Sequence, residues 1–296
     1  MSRQIIIAEN AGFCFGVKRA VDMTSEYNTD NESKVYTLGP LIHNRDLVEK
    51  LEQEGIRRID IGEIPNLKEG DTVVIRSHGV VPDIIDQISR TGAKVLNATC
   101  PYVTSIQMKA RKYHGEGYQI IIVGDKNHPE VIGINGWCNN TALVTRDGSD
   151  LENLPDKVCV LSQTTEKHIN FEKTVQAVTG QARDVLAFNT ICSATRERQE
   201  SADRVSKIVD LMVVIGGRHS SNTKKLYEIC RENCSNTLLV ENAGELPEWV
   251  ISDPKLKRVG VTAGASTPDW IMKEVMDKLR GEGASGKRDQ EERKSD

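Results

Sequence analysis

The feature that most constrains this chain is a phrase it uses three times: Asn10-Ala-Gly-Phe-Cys14, Asn97-Ala-Thr-Cys100 and Asn189-Thr-Ile-Cys192. Each copy follows a short apolar run that reads as a buried strand (Gln4 to Ala8, Lys94 to Asn97, Asp184 to Phe188) and opens a polar segment that reads as a helix. The cysteines lie 86 and 92 residues apart, about the length of one small α/β domain. The spacing predicts three similar α/β domains, 1–96, 97–188 and 189–280, each offering one thiol to a shared centre.

Between the repeats, strand-like and helix-like runs alternate. Val35 to Leu38, Val73 to Arg76, Gln119 to Val123, Val158 to Leu161, Leu211 to Ile215 and Arg258 to Val261 read as strands, whereas Pro82 to Arg90, Thr195 to Val209 and Asn222 to Cys230 read as helices. Strands that are apolar without alternation, separated by helices, imply mainly parallel sheets covered on both faces, an α/β fold. Residues 281–296 are rich in charge and predict a disordered tail outside that fold. The 296 residues leave room for three cores. A net charge of −4 and 4% aromatic residues argue against a nucleic-acid partner. The first apolar run is too short for a signal peptide, and none approaches a membrane span. The expectation is a cytoplasmic protein acting on a small molecule. Its seven cysteines are then reduced, and so metal-binding, catalytic or simply buried.

Open parallel sheets bind ligands beyond the carboxyl ends of their strands, and the chemically useful residues fall there. They are His43, His78, His128, Glu130, Gln163, Thr164, Ser220, Ser221, Asn222 and Ser266. Plainer roles compete for some of them: Ser266 with Asp269 fits a capping box, and Asn127 with Glu130 fits a helix cap. Cys138, Cys159, Cys230 and Cys234 sit in or beside apolar runs and are read as core. Three matched cysteines fit neither structural zinc nor an ordinary electron-transfer cluster, which usually take four protein ligands. They do suit a [4Fe–4S] cluster with one iron open to act as a Lewis acid and pass electrons. The three histidines suit a metal or, together with serines and an asparagine at helix starts, a phosphorylated anion, the reading preferred.

Ala11-Gly-Phe-Cys-Phe-Gly-Val, Gly39-Pro-Leu-Ile-His-Asn, Arg76-Ser-His-Gly, Asn97-Ala-Thr-Cys-Pro, His128-Pro-Glu-Val, Gln163-Thr-Thr, Thr190-Ile-Cys-Ser-Ala-Thr, Ser220-Ser-Asn-Thr and Thr262-Ala-Gly-Ala-Ser-Thr-Pro follow one another along the chain. In that order and spacing, to about Arg280, the sequence resembles the LytB/IspH family of 4-hydroxy-3-methylbut-2-enyl diphosphate reductases. The resemblance implies a monomeric trefoil of three α/β domains around one [4Fe–4S] cluster held by Cys14, Cys100 and Cys192. It implies a diphosphate pocket lined by His43, His78, His128, Ser220, Ser221, Asn222 and Ser266. Thr164 would contact the substrate's hydroxyl end and Glu130 would supply protons, with Thr195 and Gln163 in the surrounding hydrogen-bond network. The implied activity is the last step of the non-mevalonate isoprenoid pathway, a two-electron reductive dehydroxylation of an allylic diphosphate to isopentenyl and dimethylallyl diphosphate. Electrons would come from ferredoxin or flavodoxin, since no strand-linked Gly-x-Gly-x-x-Gly is present. From the residues alone, an iron–sulfur hydro-lyase, which needs no reductant, and a non-enzymatic cluster-based metabolite sensor remain as alternatives.

Overall fold

Short runs of Ile, Val and Leu closed by Gly, Asn or Asp make the strands, and segments with apolar residues three and four apart make the helices. The structure, a computed structural model, describes residues 3–30 and 34–281; the charged tail read from the sequence lies outside the described residues beyond Gly281. In chain order β1 (Gln4–Ile7) leads through α1 (Phe15–Asp30) to β2 (Val35–Leu38), α2 (Arg45–Gln53), β3 (Arg57–Ile59), β4 (Thr72–Ile75), α3 (Pro82–Arg90) and β5 (Lys94–Asn97). Then follow α4 (Pro101–Gly115), β6 (Gln119–Val123), α5 (Pro129–Gly136), β7 (Leu143–Thr145), β8 (Lys157–Ser162), α6 (His168–Thr179) and β9 (Asp184–Ala187). The remainder is α7 (Ser193–Ser206), β10 (Leu211–Ile215), α8 (Ser221–Asn233), β11 (Thr237–Val240), α9 (Glu248–Ser252), β12 (Arg258–Ala263) and α10 (Asp269–Arg280).

Three four-stranded sheets result, with orders β3-β2-β4-β5, β7-β6-β8-β9 and β11-β10-β12-β1. Every pairing is parallel. The order is the same in all three, and the strand leading to a cysteine is always the edge strand beyond the third-laid one. In the third sheet that place is taken by β1, whose Gln4 and Ile7 pair with Arg258 and Val261. The grouping of residues 1–96 by repeat length puts β1 with β2 to β5, whereas strand pairing puts it beside β12. Each sheet therefore ends on its cysteine strand, and the start of the chain completes the last sheet.

Contacts divide the chain into two compact units, one of residues 1–14 and 197–296, the other of residues 15–196. In the second unit, Ile120, Ile122 and Leu161 pack on one face of their sheet and Ile121, Val123 and Val160 on the other. In the first, Val213, Ile215 and Val261 face one core and Met212 and Val214 another. Burial on both faces explains why these strands carry no polar alternation. β3 lacked a legible signal because only Ile59 of Arg57-Arg58-Ile59 is buried.

Within the second unit, α5 closes against the start of α3. Trp137 Nε1 donates to Val80 O at 3.1 Å, and a Cβ at Gly136 would lie 2.5 Å from Val81 Cβ. Alanine in place of a helical glycine gains about 0.5–1 kcal/mol, while forced overpacking costs about 1–3 kcal/mol. Val81 meets this Cβ with its branch point rather than a flexible end, so the cost dominates. Gly136→Ala is expected to lower stability by about 1 kcal/mol, read as a fall in the urea midpoint at unchanged m.

Candidate functional site

The three cysteines share one backbone device. Cys100 N–H donates to Ser77 O at 3.0 Å, Cys192 N–H to Thr164 O at 3.1 Å and Cys14 N–H to Ala265 O at 3.1 Å. Each acceptor lies in the loop leaving the strand parallel to the cysteine's own, namely β4, β8 and β12. The repeated asparagine sets two of the turns, because Asn97 Oδ1 accepts from Thr99 N and Asn189 Oδ1 from Ile191 N. The copy at Asn10 is one residue longer, and it absorbs the extra residue with left-handed conformations at Asn10 (φ 58) and Gly12 (φ 94).

The seven thiols fall into two chemical classes. Burial pushes Cys138 up to about 11 and Cys159 and Cys230 up to about 12, and Cys234 is 7% exposed. These four are the core residues the sequence suggested. Cys14, Cys100 and Cys192 are only half-buried, and none is in a disulfide. A Cβ on Gly16 would stand 2.5 Å from Cys100 Sγ, so a glycine keeps the space beside that sulfur clear. Thr195 Oγ1 lies 3.0 Å from Cys192 Sγ.

In the second unit, three strand ends bring His43, His78 and His128 together. Their ring centroids are 4.9, 5.2 and 5.8 Å apart, and their nearest potential ligand atoms lie within 4.8 Å. His43 is fixed between the buried Leu41-Ile42 pair and Asn44, whose Oδ1 accepts from Leu47 N to cap α2. His78 stands on the turn closed by Gly79 N–H to Arg76 O, where Gly79 has φ 69. His128 caps α5: its Nδ1 accepts from Glu130 N at 3.1 Å. That role had been read onto Asn127, and the helix actually starts from the histidine. With Nδ1 accepting, a neutral His128 carries its proton on Nε2, as an N–H donor. Burial, and then the positive charge of His43, His128 and Arg76, holds the His78 pKa well below the usual imidazole value.

Next to the triad, Glu130 is 2% exposed and takes both donors of one residue. Oε1 accepts from Thr164 N at 2.6 Å, and Oε2 from Thr164 Oγ1 at 2.7 Å. Gln163 is fully buried and receives Asp125 N on Oε1 while donating from Nε2 to Thr165 Oγ1. Because Thr164 O receives Cys192 N–H, one short segment links the carboxylate, a hydroxyl and a cysteine.

The first unit carries the other predicted group. Ser220 caps α8, its Oγ accepting from Thr223 N at 3.3 Å, so its plain capping role is real. Asn222 is 3% exposed, yet among the described residues neither its Oδ1 nor its Nδ2 has a hydrogen-bond partner, and Thr223 Oγ1 and Thr262 Oγ1 share that condition. A buried polar group left so costs about 1–3 kcal/mol, which a ligand at the helix N-terminus would offset. Ser266 is 6% exposed and follows Ala265, the acceptor for Cys14 N–H. α10 takes Pro268, not Ser266, as its cap residue. Ser221 is half-buried at the first residue of α8. The sequence reading missed Arg198, 2% exposed, whose Nη2 donates to Gly12 O at 2.9 Å and braces the Cys14 loop. An arginine in an amphipathic helix carries no signal that its charge is buried. Among the described residues no helix is long and apolar enough to cross a membrane.

Comparison with known proteins adds to this geometry. Residues 5–280 match the LytB protein family. A 4-hydroxy-3-methylbut-2-enyl diphosphate reductase of Clostridium perfringens strain 13 is 54% identical over 280 residues, covering 95% of this chain and 99% of that protein. One from Caldanaerobacter subterraneus subsp. tengcongensis is 46% identical over 94% of this chain and 96% of its own. A solved structure of (E)-4-hydroxy-3-methyl-but-2-enyl diphosphate reductase, described as the terminal enzyme of the non-mevalonate pathway, aligns with TM-score 0.68 at 44% identity, covering 94% and 99% of the two chains. The reductase structure from Plasmodium falciparum aligns with TM-score 0.86 at 25% identity, covering 94% and 88%.

The lowered His78 pKa gives the fold a pH dependence with a definite sign. An unfolded histidine titrates near 6.5, so the stability from keeping His78 neutral is complete above that pH. It is lost as pH falls toward the depressed folded value, at up to about 1.4 kcal/mol per pH unit. Thermal midpoints at pH 7.5 and 5.5 are expected to differ less in His78→Gln than in the parent protein. An equal fall in both would assign the acid sensitivity to other groups.

Proposed function

The chain belongs to the LytB family of 4-hydroxy-3-methylbut-2-enyl diphosphate reductases, and on that premise we propose how its own residues turn (E)-4-hydroxy-3-methylbut-2-enyl diphosphate into isopentenyl and dimethylallyl diphosphate. The family depends on iron and sulfur, acts on a small diphosphate and needs an electron donor. Cys14, Cys100 and Cys192 would hold one [4Fe–4S] cluster, leaving one iron without a protein ligand. When bound, that cluster supplies Lewis acidity and a path for electrons arriving one at a time.

The remaining roles fall to side chains. His43, His78 and His128 donate N–H groups to the diphosphate, and His128 can do so from Nε2 because Glu130 N–H occupies its Nδ1. Ser220, Ser221, Asn222 and Ser266 supply further donors, with the N-terminal end of α8 favouring negative charge. The substrate hydroxyl lies by Thr164. Breaking the carbon–oxygen bond takes two electrons and two protons, one leaving with water and one ending on carbon. Glu130 holds a proton for this step, and its Oε2 contact with Thr164 Oγ1 gives the proton a route to the leaving oxygen. The allyl fragment accepts the second proton at either end, hence two products. The observation that carries the reading is this buried carboxylate and hydroxyl, fastened to the backbone of Cys192.

Ferredoxin or flavodoxin is the proposed donor. All three thiols come from one chain, so a monomer suffices, and reduced thiols suit the cytoplasm.

Three expectations test these roles. Under anaerobic conditions the reconstituted protein should oxidise reduced methyl viologen only when the diphosphate is present, yielding both five-carbon products. Glu130→Gln should retain iron, sulfide and substrate affinity while turnover falls about 10²-fold or more; near-normal turnover would remove Glu130 from proton delivery. Cys100→Ser should fold with unchanged far-ultraviolet circular dichroism but lose intact cluster, and a full iron complement would take Cys100 out of the ligand set.

A further inference from the structure

α4 starts immediately after Cys100, which serves as its cap. Val103, Ile106, Gln107 and Ala110 form its buried stripe. The opposite side shows Tyr102 at 51% and Met108 at 41% exposure, with Lys109, Arg111 and Lys112 around them. The helix contains no carboxylate, and neither does the whole run from Gln87 to Gly115, the longest such run in the sequence. Arg45 pairs with Glu49 within α2, and Lys207, just past the end of α7, pairs with Asp203 at 2.7 Å. On α4, Lys109 donates to Ser105 Oγ at 3.0 Å with its ammonium over the Phe188 ring at 5.8 Å, and Lys112 meets Glu116, beyond the helix end, at 4.0 Å. The first turn of α1 abuts Cys100 through Gly16 and adds the exposed Phe15 and Lys18.

We propose that the solvent face of α4 is the docking surface for a small acidic one-electron carrier protein. This rests on the reading above that Cys100 holds the redox group. A chain of net charge −4 repels an acidic partner at long range, so a local positive face is what orients the encounter. Charged rims steer association and suppress wrong partners, while an apolar centre such as Tyr102 and Met108 supplies the short-range contact. Transient redox encounters use small interfaces, below about 1,200 Å² in total, a scale one exposed helix face and its neighbour can meet. Electrons would then enter at the end of the helix where the cysteine lies.

The test measures turnover against the concentration of a reduced acidic ferredoxin, at about 50 mM and about 500 mM salt, where screening lengths differ severalfold. In the combined variant Lys109→Glu, Arg111→Glu, Lys112→Glu, the KM for ferredoxin should rise about tenfold or more at low salt, and the difference should shrink at high salt. Iron and sulfide content, substrate KM and methyl-viologen-driven turnover should stay at parental levels. A control with the same charge change on exposed residues elsewhere, Arg57→Glu, Arg58→Glu, Lys68→Glu, should leave the ferredoxin KM within about twofold, because steering acts through the local patch. An unchanged ferredoxin KM, an equal rise in the control, or an equal loss with ferredoxin and viologen would each overturn the docking surface. Absence of viologen-driven turnover in the parental protein would instead overturn the underlying reading.

Discussion

The hydrogen bond from each cysteine N–H to the loop beyond the neighbouring parallel strand is the constraint on which the site depends. Parallel pairing is registered residue by residue, so once β5 lies beside β4 the bonds Ala98 N to Ile75 O and Cys100 N to Ser77 O extend the ladder past the sheet edge. The same occurs at β9 and β8, and at β1 and β12. Each acceptor belongs to a segment that also bears a site residue: Ser77 precedes His78, Thr164 is itself one, and Ala265 precedes Ser266. A thiol and a polar partner are thus set by one sheet edge in each repeat. Precision of this kind comes from rigid strands and would be hard to obtain from free loops.

What could be read from the sequence followed from how strongly each position is constrained. Strands buried on both faces, such as β6 and β10, announce themselves as unbroken apolar runs, and their bounds are those expected. α8 starts one residue earlier and ends three residues later than the sequence suggests, at helix ends where the last turn is exposed. β3 and α9 lie below legibility because each buries a single residue, Ile59 and Val250. The placement of β1 was misgrouped for a different reason. Repeat length says which segments are alike, but sheet partnership is decided by which open edge a strand can complete, and β12 offered that edge.

The candidate site was legible as a set of residues and illegible as a set of bonds. Cys14, Cys100 and Cys192 stood out because their context repeats, and His43, His78 and His128 because they follow strands. Nothing in the sequence distinguishes His128 as a helix cap from Asn127, yet the choice fixes the histidine's tautomer and so whether Nε2 presents a donor. Nor does it show that Thr164 meets Glu130 with both its N–H and its hydroxyl. Arg198 is the sharpest omission: a guanidinium is buried only where its fork finds carbonyls, and Gly12 O becomes available only because the Asn10 to Cys14 turn is left-handed.

Burial also divides the seven thiols into two groups. With pKa values about 11 to 12, Cys138, Cys159 and Cys230 are thiolate in roughly one part in 10⁴ to 10⁵ at pH 7, and thiolate is the form that binds metal. Their sulfurs pack among Ile, Val and Leu, with Cys138 and Cys159 in the core of the β6 sheet and Cys230 on the buried face of α8. The other three are half-buried, where the turn after each strand carries them off the sheet before the helix begins. The two groups differ in the setting of the sulfur: Cys138, Cys159, Cys230 and Cys234 belong to apolar clusters, whereas the asparagine turn after a strand leaves Cys14, Cys100 and Cys192 half-buried at strand-to-helix junctions.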